Sequence, residues 1–264
     1  MTGPRVHLYA ACWNEADNID FFFRHYDPWI ERYFVFDDGS TDGSLELLSS
    51  HPRVEVHELV RTHPDSLILS LRDLYNNAWK RSRGRADWVV VVNLDEHLYH
   101  PDIRRYLAEC RGAGVTAIPA LGYQMLAGRR PPPGSALAES VRLGVPWGLM
   151  NKLALFDPDE IDEVDYVVGR HAAAPTGRVV YPERDELRNL HFKYLGLDDV
   201  LSRHAAQSVR LGRRDRDEGW GHRYLETPEG TKRWLDGLAA RAIEPLAAGS
   251  DPHCDHRARR WWRD

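Results

Sequence analysis

Three polar clusters follow short apolar runs within the first hundred residues: Asn14-Glu15, Asp37-Asp38 and Asn93-Leu94-Asp95-Glu96. The runs are Ala10-Ala11-Cys12, Tyr33-Phe34-Val35-Phe36 and Trp88-Val89-Val90-Val91-Val92. A carboxylate ending a buried strand sits where low dielectric meets water, and an isolated charge there is costly. A bound divalent cation offsets that cost. Hard cations such as Mg2+ or Mn2+ prefer one or two carboxylates plus the oxygens of a substrate diphosphate. Asp37-Asp38 stands before the turn Gly39-Ser40-Thr41-Asp42-Gly43. Such a pair can accept hydrogen bonds from a nucleobase or ribose, and it repels phosphate. Taken singly, each cluster also fits an ordinary strand-to-loop boundary or a capped turn.

The elements that must position these clusters are legible from periodicity. Val6 to Cys12 reads as a buried strand, and Ile19, Phe22, Phe23, Tyr26 and Ile30 mark one helix face, capped by Asp17 or Asn18. Tyr33 to Phe36 is a second strand. Gly39 and Gly43 permit a tight turn into a helix carrying Leu45, Leu47 and Leu48. Val54 to Leu59 is a third strand, and Leu67, Leu71, Leu74, Tyr75 and Ala78 share a helix face. Trp88 to Val92 is apolar throughout, as a strand covered on both faces should be. This alternation predicts an α/β fold: an open, mainly parallel sheet flanked by helices, with ligands outside the carboxyl ends of its strands.

The second half is less regular. Arg129 to Ser135, with Pro131-Pro132-Pro133, reads as a mobile loop, and Leu153 to Phe156 and Asp165 to Val168 as short strands. From Asp198 the chain turns helical and charged, and the basic-aromatic end from Arg257 reads as a fraying, solvated terminus. The expected division is a sheet domain over 1–200 and a helical extension over 201–264 packed on it. The formal charge of −5 argues against a nucleic-acid binder. No apolar run is long enough to span a membrane. Three scattered cysteines, Cys12, Cys110 and Cys254, suit a reducing, cytoplasmic setting.

Taken together, Trp13-Asn14-Glu15-Ala16-Asp17-Asn18-Ile19, Phe36 through Ser44, and Trp88 through Glu96 resemble glycosyltransferase family 2, which has the GT-A fold. Within it the likeness is to the subgroup related to family 92, whose metal motif reads D-x-D-E. It continues through Asn151-Lys152-Leu153-Ala154-Leu155-Phe156, Gly169-Arg170-His171 and Leu190-His191-Phe192-Lys193-Tyr194. The resemblance implies an inverting, metal-dependent transfer of a hexosyl or deoxyhexosyl group from a UDP-, GDP- or dTDP-sugar to an acceptor hydroxyl. It implies that Ala11, Asn14, Glu15, Trp13 and Leu94 line the nucleotide pocket, and that Asp38 and Asp37 hold base or ribose. Asp95 and His191 would be the metal ligands. Lys152, Lys193 or Arg72 would neutralise the diphosphate.

One departure stands out: the first Asp of the metal motif is Asn93, which brings no charge. Mixed oxygen and imidazole ligation suits Mn2+ somewhat better than Mg2+. The proton of the acceptor hydroxyl needs a base, and the candidates are His171 or the acids Asp162, Glu163 and Asp165, which also fit a solvated face. Two other readings stay open: a nucleotidyltransferase making nucleotide sugars, and a non-catalytic sugar- or nucleotide-binding relative. The first would normally carry a glycine-rich, basic loop after the first strand, and Ala10-Ala11-Cys12-Trp13-Asn14-Glu15 is neither. Donor base, sugar, acceptor and oligomeric state are not written in the sequence.

Overall fold

A computed structural model describes residues 3–263. Strand β1 (Val6–Cys12) leads into helix α1 (Ala16–Tyr26), β2 (Arg32–Asp37), helix α2 (Ser44–Ser50) and β3 (Val54–Glu58). Helix α3 (Leu67–Asn77) then precedes β4 (Trp88–Val91). These strands pair in parallel in the order β3-β2-β1-β4. Successive side chains of a strand face opposite ways. Val6, Leu8, Ala10 and Cys12 therefore enter the core under α1 with Ile19, Phe22 and Tyr26. Tyr9 faces the other side, with Phe34, Phe36, Val89 and Val91, under Leu67, Leu71, Leu74 and Tyr75 of α3. Two covered faces explain the unbroken apolar runs.

The chain continues through β5 (Glu96–Tyr99), α4 (Ile103–Gly112), β6 (Ala117–Ala127), a short α5 (Leu137–Ser140), β7 (Leu143–Pro146) and β8 (Lys152–Phe156). After β9 (Ile161–Glu163), β10 (Thr176–Gly177) and β11 (Arg188–Leu195), it becomes helical: α6 (Leu197–Ser208), α7 (Arg213–Asp217), α8 (Pro228–Ala239) and α9 (Pro252–Asp255). The large sheet extends as β4-β8-β6-β11-β5, with β7 on the side of β6. Here β8 runs antiparallel to β4 and β6, while β11 is parallel to β6 and antiparallel to β5. The expected open α/β sheet is present, parallel in its first half and mixed in its second. Strand β6 escaped the periodicity reading because it is buried on both faces, so its residues do not alternate, and it contains Pro119. That proline sits at a register shift against β8, where a missing N–H is tolerated.

Three local expectations change. Helix α1 begins at Ala16, ahead of Asp17 and Asn18, because the Asp42 carboxylate accepts the Ala16 N–H at 3.0 Å and caps the helix from a distant turn. Residues 165–168 form no strand. Asp165 has φ of 45°, which breaks extended geometry, and the strand lies at β9 instead. The proline loop is pinned: Arg130 makes a bidentate pair with Asp199 at 2.9 Å, and Asp20 accepts the Gly134 N–H at 2.9 Å.

The C-terminal segment is docked, not frayed. The fully buried Asp185 carboxylate accepts from Arg260 Nη1 at 2.9 Å, Arg263 Nη2 at 2.8 Å and Trp262 Nε1 at 2.9 Å. Trp261 Nε1 donates to the Asn151 carbonyl at 3.0 Å, and Asn151 Nδ2 to the Arg259 carbonyl at 2.8 Å. The tail thus buttresses the turn that leads into β8. That turn approaches β6 at Gly122, where a Cβ would lie 2.3 Å from the Met150 carbonyl carbon, so only glycine fits. No helix among the described residues is long and apolar enough to cross a membrane.

Candidate active site

The carboxyl ends of β1 and β2 share one rigid turn. Asp37 accepts from the Gly39 and Ser40 N–H groups at 3.0 and 2.9 Å and from Ser40 Oγ at 2.5 Å. Its carboxylate is thereby committed to the turn. Asn14, at φ of 50°, accepts the Thr41 N–H at 2.8 Å and ties the two strand ends together. Asp38 points outward and is held by Arg61 Nε at 2.8 Å and by Arg210. Burial raises the Asp38 carboxyl, but its bonds to Arg61 and Arg210 prevail and hold it below the usual range. The Arg210 guanidinium lies 4.1 Å from the Trp13 ring centroid, a cation–π contact.

At the end of β4 the four polar residues part ways. Glu96 is fully buried, with Oε1 2.6 Å from Lys152 Nζ and Oε2 2.8 Å from Arg170 Nη2. Burial raises its carboxyl; Arg170 and Lys152 more than offset this and bring it down to about 2. Burial also pushes the Lys152 ammonium down to about 8 despite the attraction of Glu96. Asn93 donates from Nδ2 to Glu96 Oε1 at 3.0 Å, while its Oδ1 accepts from Tyr75 at 2.8 Å. The buried Arg170 reaches the Val91 carbonyl at 2.7 Å. Gly169 and Arg170 both have positive φ, 72° and 57°. The left-handed region costs a non-glycine residue about 1–3 kcal/mol, offset here by this buried network.

Asp95 turns the other way. Its Oδ2 lies 3.3 Å from His191 Nε2 on β11 and 3.7 Å from Arg203 Nη2 on α6. Arg203 also grips Glu15 with two bonds of 3.0 and 2.9 Å. Burial raises Asp95, yet His191, Arg203 and Lys193 together hold it well below the carboxylate range. Burial raises Glu15 and prevails over the opposing pull of Arg203. One ligand atom each from Asp95, Glu96 and His191 lies within 4.8 Å of the others. Both Glu96 oxygens are taken by cations, which leaves Asp95 and His191 Nε2 as the candidate ligand atoms of the three. An oxygen and an imidazole nitrogen suit a borderline divalent cation.

Pairwise contacts link the expected residues: Arg203 joins Glu15 to Asp95, His191 faces Asp95, and the charge of Lys193 acts on Asp95. Asn93 and Lys152 bond the neighbouring Glu96, with Ala11, Trp13, Asn14 and Asp38 at the ends of β1 and β2. Leu94 is buried in the core below. The Lys193 ammonium rests 4.3 Å from the Tyr224 ring centroid. Three expected acids stand apart: Glu163 pairs with Lys80 at 2.6 Å, and Asp162 and Asp165 are exposed. Among the described residues no hydrogen bond or ion pair links them to Asp95, Glu96, His191 or His171. Arg72 is occupied by its neighbour Asp73 at 3.2 Å. His171 donates from Nδ1 to the Leu149 carbonyl at 2.5 Å, and its Nε2 packs over Gly169 so closely that a Cβ there would lie 2.4 Å away. Burial, then the charge of Lys152, push its imidazole down to about 4.

Arg170, Arg203, Arg210, Tyr75 and Gln124 complete the site and were not singled out by sequence reasoning. Gly169 before Arg170 was the one local signal, since a glycine before a buried arginine marks an unusual backbone. In a chain with 35 lysines and arginines, nothing distinguishes Arg203 or Arg210 in advance.

No family model and no curated protein matches the chain. Among solved structures it is similar to S. aureus TarS residues 1–349, at 10% identity over 78% of this chain and 64% of that one, TM-score 0.42. The same fragment in complex with UDP-GlcNAc aligns with 10% identity over 78% of this chain and 66% of that one, TM-score 0.38. Glucosyl-3-phosphoglycerate synthase from Mycobacterium tuberculosis, in complex with Mn2+, UDP and glucosyl-3-phosphoglycerate, aligns at 20% identity over 46% of this chain and 44% of that one, TM-score 0.32. The chain thus spans 64% of the TarS fragment and 44% of the synthase.

Proposed function

We propose that the chain is a metal-dependent, inverting glycosyltransferase that moves a hexosyl or deoxyhexosyl group from a nucleoside-diphosphate sugar to a hydroxyl of a small molecule or short glycan. The observation that carries the reading is the meeting of Asp95 and His191 beside Glu15 and Asp38, at the carboxyl ends of parallel strands. Charge supports it. Arg61, Arg210, Arg203, Lys193, Lys152 and Arg170 surround the carboxylates Asp38, Glu15, Asp95 and Glu96, an excess of cations that suits a polyanionic donor.

In this reading Asp95 and His191 hold the divalent cation, Mn2+ or Mg2+. When bound, that ion neutralises charge on the departing nucleoside diphosphate. Trp13 offers its ring to the base, and Asp38 accepts from base or ribose. Lys193 adds a positive charge on the same side, which stabilises the charge developing there. Lys152 is given over to Glu96, and the neutral His171 imidazole, with Nε2 as acceptor, takes the proton of the acceptor hydroxyl.

Thermal-shift and calorimetric titration with UDP, GDP, dTDP and CDP, each with and without Mn2+, tests the reading, followed by slow hydrolysis of the matching nucleotide sugars. Tighter diphosphate binding with Mn2+ and release of free nucleoside diphosphate are expected. Consumption of a nucleoside triphosphate with release of pyrophosphate would assign a nucleotidyltransferase instead. Binding with neither reaction would leave a binding protein.

A further inference from the structure

We infer that Gln124 is a positioning residue that fixes which nitrogen of His191 faces Asp95. The inference rests on the metal reading above, because its consequence is a ligand atom kept open. Gln124 and His191 are register partners on the parallel strands β6 and β11, and both are buried. Their side chains meet with His191 Nδ1 2.6 Å from Gln124 Oε1. A carboxamide oxygen only accepts, so Nδ1 must carry the hydrogen in this contact. A neutral imidazole has one N–H, and placing it on Nδ1 leaves the Nε2 lone pair directed at Asp95 Oδ2, 3.3 Å away.

Two acceptors facing each other across that distance are reconciled by a positive charge between them, either a second proton on Nε2 or a metal ion that replaces it. Without Gln124 the imidazole has the opposite option: it donates from Nε2 to Asp95, satisfies the carboxylate and closes the pair. Arg203 Nη2 lies 3.7 Å from the same Asp95 oxygen, farther away than His191 Nε2. The acceptor at position 124 therefore decides whether the two ligand atoms form an open pair or a closed hydrogen bond.

Long-range nitrogen–proton NMR of the metal-free wild-type protein reads the His191 nitrogens directly. A proton on Nδ1 is expected, and an unprotonated Nδ1 overturns the inference without any variant. Gln124→Met removes the acceptor at similar length, and Gln124→Glu keeps one. With Mn2+ as the probe in calorimetry, Gln124→Met should weaken binding about ten- to a hundredfold, the usual effect of losing a ligand's hydrogen-bond partner. Its His191 proton should move to Nε2, whereas Gln124→Glu should bind Mn2+ as wild type or tighter. Equal Mn2+ affinity and an unchanged Nδ1 proton in folded Gln124→Met would make residue 124 packing only. If wild type takes up no Mn2+, the metal reading fails, while the NMR arm still decides the role of Gln124.

Discussion

The Nε2 atom of His191 lies 3.3 Å from Oδ2 of Asp95, so the turn between β4 and β5 meets the middle of β11 side chain to side chain. Each is also anchored by its backbone: the Phe192 N–H donates to the Asp95 carbonyl at 2.8 Å. The pair is rigidly placed before any ligand arrives, as a preorganised site requires. Asp95→Ala should therefore leave the fold intact and abolish the Mn2+-induced gain in nucleoside-diphosphate affinity. Turnover within about tenfold of wild type, roughly 1.4 kcal/mol, would remove Asp95 from the essential residues.

Asn93 stands where the D-x-D-E pattern would put an aspartate, and its surroundings suit an amide. The Nδ2 group donates to Glu96 Oε1 at 3.0 Å. An aspartate would place a second carboxylate oxygen against Glu96. Asn93→Asp, which restores the motif, should thus lower stability by about 1–3 kcal/mol and leave Mn2+ affinity no higher. Chemical denaturation and Mn2+ calorimetry check the two halves. A more stable or tighter-binding variant contradicts the account.

Glu96 should make stability depend on acid pH. Its carboxyl is lowered from 4.5 to about 2, so between these values the unfolded chain binds the proton and the folded chain does not. The contribution is full above pH 4.5 and is lost as pH falls toward 2, about 3 kcal/mol in all. Glu96→Gln should be destabilised by a comparable amount at pH 7, since it leaves Lys152 and Arg170 buried without their carboxylate. Urea denaturation of both proteins at pH 7, 4 and 3 should show the gap closing. A constant gap would mean that charge is not what Glu96 contributes.

Asp185 should hold the C-terminal tail in place. Asp185→Ala strands Arg260 and Arg263 around a buried vacancy and removes the acceptor of Trp262 Nε1. A loss of about 3–5 kcal/mol is expected for breaking a buried pair. Limited trypsin digestion should then cut in the 257–263 stretch in the variant and spare it in wild type. Equal resistance would show that the tail is held by its tryptophans alone.

The sequence by itself determined the parallel half of the sheet and the places where chemistry gathers. Apolar runs leading to Glu15, Asp38 and Asp95 are local signals, because a strand covered on both faces is mostly apolar until it reaches its end. It did not reveal β6, whose run lacks alternation and is interrupted by Pro119, nor the docking of the tail, which depends on the distant Asp185 and Asn151. Only the tertiary structure decided which partner each charge meets. Glu96 and Asp95 are chain neighbours, yet one is neutralised by Lys152 and Arg170 while the other faces His191 and Arg203. That division arises because Asp95 lies in the turn before β5 while Glu96 begins that strand, so the two neighbours leave the backbone toward different partners. The cations waiting there come from β8, from the turn at Gly169, from β11 and from α6, and no spacing along the chain encodes such meetings.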